Sequence, residues 1–147
     1  MPDVAIRDIN TEDNNKVYLR VTSEQFTYAQ IEAMTSLRPT DGWNKGDLRT
    51  SGKVRYKYSC AIYEPNPEPD TFEDKLDKLL SYLQQDKEGI ARLVSESEHA
   101  YIQVDVDIHN GNGLIGGPYI NIKNMQRMTE LGLEIAFSQY VGGNPFE

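Results

Sequence analysis

A single cysteine, Cys60, among 147 residues excludes an internal disulfide and any thiolate-rich metal centre, and it fits a reducing compartment. Long apolar runs are also missing. The longest are a few residues, against the roughly 20 needed by a membrane-spanning helix, and the first sixteen residues hold no stretch of signal-peptide length. A cytoplasmic chain with no membrane partner is the expectation. Cations are outnumbered, 15 Lys and Arg against 23 Asp and Glu, for a net charge of -8. Each phosphate contact must be supplied by a cation, so this balance argues against nucleic-acid binding and for a basic protein partner. No Gly-x-Ser-x-Gly elbow supports a nucleophilic hydrolase. Gly111, Gly113, Gly116 and Gly117 match neither the phosphate loop nor the dinucleotide fingerprint, and read as a turn.

What the chain does have is periodicity. Residues 1–15 mix Asp, Asn, Glu and Thr and read as a flexible arm; residues 16–147 read as one domain. Val17, Leu19 and Val21 alternate with Tyr18 and Arg20, the period of a strand with one buried face. Thr27 and Gln30 form a capping box ahead of Ile31, Met34 and Leu37, a helix that must end by Arg38 because Pro39 follows. Residues 38–53 read as a long loop with turns at Asp41-Gly42 and Lys45-Gly46. A second strand sets Tyr56, Tyr58, Cys60 and Ile62 on one side and Ser59, Ala61 and Tyr63 on the other. Asp70 or Thr71 caps a helix with a stripe of Phe72, Leu76, Leu79, Leu80 and Leu83. The stripe breaks at Asp86 and Lys87 and resumes at Ile90, Leu93 and Val94, which reads as either one kinked helix or two in sequence with Asp86 as the candidate second cap. Ile102, Val104, Val106 and Ile108 define a third strand whose other side carries Tyr101, Asp105, Asp107 and His109. Asn121 caps a last helix whose apolar positions are Ile122, Met125, Met128 and Leu131; Gly132 ends it before a strand through Leu133, Ile135 and Phe137.

This order implies an α+β two-layer sandwich, a ferredoxin-like variant of four or more strands, with a mainly antiparallel sheet and helices on one face. The other sheet face is left for solvent or a partner.

Two constellations compete for function. Tyr18, Tyr63, Tyr101 and Tyr140 fall on the polar sides of their strands beside Asp105 and Asp107, giving an aromatic and acidic patch suited to a basic partner or to self-association. The second is the loop carrying Arg38, Trp43, Lys45 and Asp47. Residues 38–57 hold six cations against two carboxylates, net +4, so the rest of the chain carries -12 of the total -8. An anionic small molecule, even a phosphoryl-type substrate, could seat there with Arg38 forking onto it and Trp43 stacking. Equally, Trp43 could plug the loop while Asp47 ties it to backbone amides. Asp105, Asp107 and His109 lie about 6 to 7 Å apart per step along one strand, too far to share one metal ion without help. No metal or other cofactor, and no catalytic residue, is assigned; the residues favour a non-enzymatic chain.

The stretch LRPTDGWNKGD, Leu37 to Asp47, resembles the Pro-Thr, Trp, Gly-Asp signature of a bacterial family catalogued as domain of unknown function 4279. The layout is similar over residues 16–141: an early Tyr-containing strand, a short helix before the signature, a leucine-rich central helix and a closing helix, Gly and strand. The family has no established activity. Its members look like small bacterial proteins found among toxin-immunity and defence loci, so the resemblance implies an immunity or antitoxin-like protein with a toxin as partner.

Overall fold

The computed structural model describes residues 14–108 and 118–141. Residues 1–13 of the arm expected over 1–15, His109 and the turn at Gly111 to Gly117 lie outside the described residues, while Asn14 and Asn15 of that arm belong to the first strand, paired with Asp107 and Val106. The strands are β1 (Asn14–Ser23), β2 (Asp41–Trp43), β3 (Ser59–Tyr63), β4 (His99–Ile108) and β5 (Glu134–Val141); the helices are α1 (Tyr28–Ala33), α2 (Phe72–Leu83), α3 (Lys87–Glu96) and α4 (Ile122–Leu131). One sheet runs β2-β3-β1-β4-β5, antiparallel except for the parallel pair β4-β5. The α+β class and helix-backed open sheet are as expected. The parallel pair, joined through α4, departs from the all-antiparallel ferredoxin-like arrangement.

Local chemistry sets the helix boundaries. Thr27 accepts from the Gln30 amide at 3.1 Å while the Gln30 side chain accepts from the Thr27 amide at 2.9 Å, closing the capping box. α1 nevertheless stops at Ala33, well before Pro39. The Thr35 hydroxyl accepts from the Leu37 amide, and Asp86 accepts from both the amide and hydroxyl of Ser36, so these groups bond outside the helical pattern. Thr71 caps α2. Asp86 caps α3 through the Gly89 amide at 3.1 Å, with a 3-10 turn at Gln84–Asp86 between the two helices. Gly132 closes α4 with φ 73, the left-handed conformation that a residue with a Cβ adopts at a cost.

All four helices pack on one side of the sheet. The core joins Val17, Leu19, Val21, Ala61, Tyr63, Ile102 and Val104 to Ile31, to Leu76, Leu79, Leu80 and Leu83, and to Ile90, Leu93, Met128 and Leu131. Burying each large apolar side chain contributes about 1.5–3 kcal/mol. Two inward faces differ from the sequence reading. In α4, Ile122 and Met125 are exposed while Asn124 and Arg127 turn inward with Met128 and Leu131. Arg127 explains the rotation, since its guanidinium bonds Asp77 at 2.7 Å, Ser81 at 2.6 Å, Gln84 at 3.0 Å and Asn124 at 2.8 Å, pinning α4 to α2.

The second difference is β3. Tyr63 was expected on the polar face, yet it pairs with Leu19 and lies fully buried among the core residues, while Cys60 and Ile62 turn the other way. Only five residues long, and buried on nearly every position, β3 has no polar side to reveal its phase. The loop of residues 38–53 is also more regular than its composition suggests. Asp41-Gly42 is no turn but part of β2, and residues 44–58 form a hairpin-like excursion bridged at Leu48 and Arg55. Gly42 is required there: a Cβ would collide with the Tyr28 ring and the Cys60 carbonyl.

Candidate functional site

The sheet face opposite the helices is covered by no helix among the described residues. Strand alternation places Tyr18 and Arg20 of β1 on it, with Tyr101, Gln103, Asp105 and Asp107 of β4 and Glu134, Ser138 and Tyr140 of β5. Thus Tyr18, Tyr101, Asp105, Asp107 and Tyr140 share the face anticipated for them, and Tyr63 does not. Tyr140 is 57% exposed and Asp107 is also open to solvent, whereas Tyr18, Tyr101 and Asp105 are half-buried.

A polar network orders this surface. The Tyr18 hydroxyl donates to Asp105 Oδ2 at 2.9 Å, and Gln103 Nε2 donates to Asp105 Oδ1 at 2.9 Å and to Ser138 Oγ at 3.0 Å. Burial, reinforced by its bond to the Asp105 carboxylate, raises the Tyr18 pKa well above the usual phenol range. Next along β1, Arg20 Nη1 donates to the Tyr101 hydroxyl at 2.9 Å and Nη2 to the Tyr58 hydroxyl at 3.0 Å. Burial opposes the Arg20 charge. The hydrogen bond to Tyr58, the nearby Cys60 and the bond to Tyr101 together outweigh it and leave the pKa raised.

Aromatic stacking continues toward the β2 edge. The Arg20 guanidinium carbon lies 5.6 Å from the Tyr58 ring centroid; Tyr58 tilts against Trp43 at 6.4 Å. Trp43 in turn stacks on Tyr56 at 4.2 Å, and Arg49 lies 5.4 Å from the Tyr56 centroid. A single cation and aromatic ladder therefore runs from Arg49 to Arg20. Cys60, paired with Trp43 and Thr22 in register, is sealed on this face, and burial pushes its thiol up to about 11. A thiol so raised is a poor nucleophile.

Among the described residues, no hydrogen bond or ion pair joins Arg38, Trp43, Lys45 and Asp47 to one another. Trp43 is half-buried and donates from Nε1 to the Tyr58 carbonyl at 3.1 Å, and Asp47 accepts from the Asn44 amide at 2.9 Å. The Lys45 amide donates to Ser59. The Arg38 carbonyl is held by Tyr82 of α2, on the helix side, while the Trp43 indole faces the opposite side of the sheet. Sequence reading missed Arg20 and Tyr58, although a charged residue set directly among Tyr18, Leu19 and Val21 was a visible signal. Among the described residues, no group of three or more His, Cys, Asp or Glu side chains is placed to hold a metal ion. No helix among them is long and apolar enough to cross a membrane.

The family model described as domain of unknown function (DUF4279) matches residues 13–142, nearly the entire chain. The chain belongs to this family. The match spans every described strand and helix, so the open face and its aromatic ladder lie wholly inside the family domain. No curated protein and no solved structure matches the chain.

Proposed function

We propose that the helix-free sheet face docks a basic protein partner, and that the chain works in the cytoplasm as a non-enzymatic immunity or antitoxin-like protein by occluding that partner. One observation supports this reading above others: three tyrosines and two aspartates, Tyr18, Tyr101, Tyr140, Asp105 and Asp107, share a sheet face that no described helix covers. Tyrosine offers a large apolar body with a polar tip, and a ring already held loses little freedom on binding. Tyr18 is held by Asp105 in this way. Exposed Asp107 and Glu134 supply the field that steers a cationic partner and sets its approach rate.

Reversing the charge of these two groups tests the reading. Asp107→Lys with Glu134→Lys leaves the network around Asp105 untouched, so folding by circular dichroism should be unchanged. Affinity capture from the host should then lose a basic protein that the parent chain retains, and association of the purified pair should slow and lose its salt dependence. Equal capture by the parent and the double variant would reject this face as the docking surface.

A further inference from the structure

β1 puts two cations on the open face, exposed Lys16 opposite Asp105 and half-buried Arg20 opposite Tyr101, and the surroundings of Arg20 are unusual for a guanidinium. Both terminal nitrogens donate to phenol oxygens, at 2.9 Å to Tyr101 and 3.0 Å to Tyr58, and these are neutral acceptors. Among the described residues, no ion pair includes Arg20. A half-buried guanidinium whose direct hydrogen-bond partners are both neutral keeps room for one anionic partner, with the carboxylates of Glu24 and Glu98 lining the adjoining hollow rather than bonding it.

The two hydroxyls extend the same preference. Each accepts from Arg20 through a lone pair, so its proton is directed elsewhere, and among the described residues no acceptor takes either proton. A cation that polarises two O–H donors makes a three-part cradle for an oxyanion. Directly beside it opens a hollow of about 400 Å³, lined further by Thr22, Ser23, Glu24, Glu98 and His99. That volume lies in the range of small-ligand sites.

We propose that Arg20, Tyr58 and Tyr101 recognise a carboxylate, carried by a small planar acid or by the C-terminus of a peptide. The carboxylate would meet the guanidinium and the two hydroxyls, and the body of the ligand would lie against the tyrosine rings. Glu24 and Glu98 line the same hollow; Glu98 accepts from the Ser23 hydroxyl and the Glu24 amide and holds that end negative. Two carboxylates disfavour a dianionic phosphate and leave a monoanion with a neutral or cationic remainder as the better fit. Strand register makes the cradle rigid, since Arg20 and Tyr101 are direct cross-strand partners. The site goes beyond the docking reading and does not depend on it: a soluble acid can bind whether or not a protein covers Asp107 and Tyr140.

The test is a titration of the isotope-labelled full chain followed by amide chemical shifts. The probes are benzoate, an acetylated Gly-Gly-Phe peptide with a free C-terminus, the same peptide amidated, and inorganic phosphate. Benzoate or the free-acid peptide should give saturable shifts at Thr22, Tyr58, His99 and Tyr101, and whichever binds tighter identifies the source of the carboxylate. The amidated peptide should give none. Arg20→Gln should abolish binding; should that variant unfold, Tyr58→Phe with Tyr101→Phe keeps the rings and should still weaken binding about tenfold or more. Absence of saturation by about 10 mM of either acid, equal binding of the acid and amide peptides, full affinity in the double Phe variant, or tighter binding of phosphate would each overturn the proposal.

Discussion

Replacing Tyr63 by Phe removes a single oxygen from the middle of the core and leaves the ring where it is. That oxygen is buried and makes no hydrogen bond of good geometry; the Thr35 hydroxyl, near enough to offset part of the rise that burial gives the Tyr63 pKa, spends its proton on the Leu37 carbonyl and accepts from the Leu37 amide, at 3.1 Å each. A desolvated hydroxyl without a partner costs about 1–3 kcal/mol. The void left by the oxygen, roughly 10 Å³ at about 24 cal/mol per Å³, costs only about 0.2 kcal/mol. Tyr63→Phe should therefore stabilise the fold by about 1 kcal/mol or more, seen in urea as a higher midpoint at unchanged slope and on heating as a rise of about 2–4 °C. The effect should also grow with alkalinity. Burial raises the Tyr63 pKa, so the unfolded chain ionises first and wild-type stability falls as pH climbs past about 10, a loss the Phe variant does not share. A destabilisation of about 1 kcal/mol at neutral pH, with no divergence on the alkaline side, would refute the reasoning by showing that the hydroxyl is satisfied in solution.

Other perturbations read separate parts of the molecule. Cys60 releases its proton near 9 when unfolded and only near 11 when folded, both Tyr18 and Tyr63 shift the same way, and stability measured by urea titration should therefore decline from pH 9 upward. At the other extreme, hydrogen bonds from Ser36 and Gly89 depress the Asp86 pKa, so stability is lost as pH falls below about 4, and Asp86→Asn should flatten that decline. Arg127→Met should cost about 2 kcal/mol by chemical denaturation, because Asp77 and Ser81 of α2, Gln84 of the 3-10 turn and Asn124 of α4 lose their donor while the half-exposed Asp77 can rehydrate. Gly42→Ala should destabilise more than Gly132→Ala: the first drives a Cβ into the Tyr28 ring and the Cys60 backbone, whereas the second has room beside Val94 and costs only its left-handed backbone, about 1–2 kcal/mol. Parallel melting curves of the two variants decide the order.

Much of this architecture could be read before any coordinates. Thr27, Thr71, Asp86, Asn121 and Gly132 announce helix ends because a cap acts within three or four residues of itself, and all five occupy the ends they signal. β1 and β4 could also be phased, since each alternates sharply between apolar and polar residues; this is why Tyr18, Tyr101, Asp105 and Asp107 were assigned to the correct face. Tyr140 followed from β5 in the same way. The family signature at Leu37 to Asp47 was legible too, and the family match agrees with it.

Other features had no local signal. β3 is apolar or small on both sides, so only its pairing of Tyr63 with Leu19 decides which side enters the core. The inward face of α4 depends on what Arg127 reaches across the helix pair, a partner set drawn from residues some 40 to 50 positions away in sequence. Arg20, Tyr58 and Tyr101 span three separate stretches of chain, and nothing in any one of them specifies the others. Caps and strand phase where polarity alternates are legible in the chain because they act over a few residues, and the net charge of -8 because it is a sum that needs no fold. Strand order, the burial of Tyr63 and the Arg20 cradle came from tertiary structure alone, because each is a free-energy choice among groups that meet only after the chain has folded.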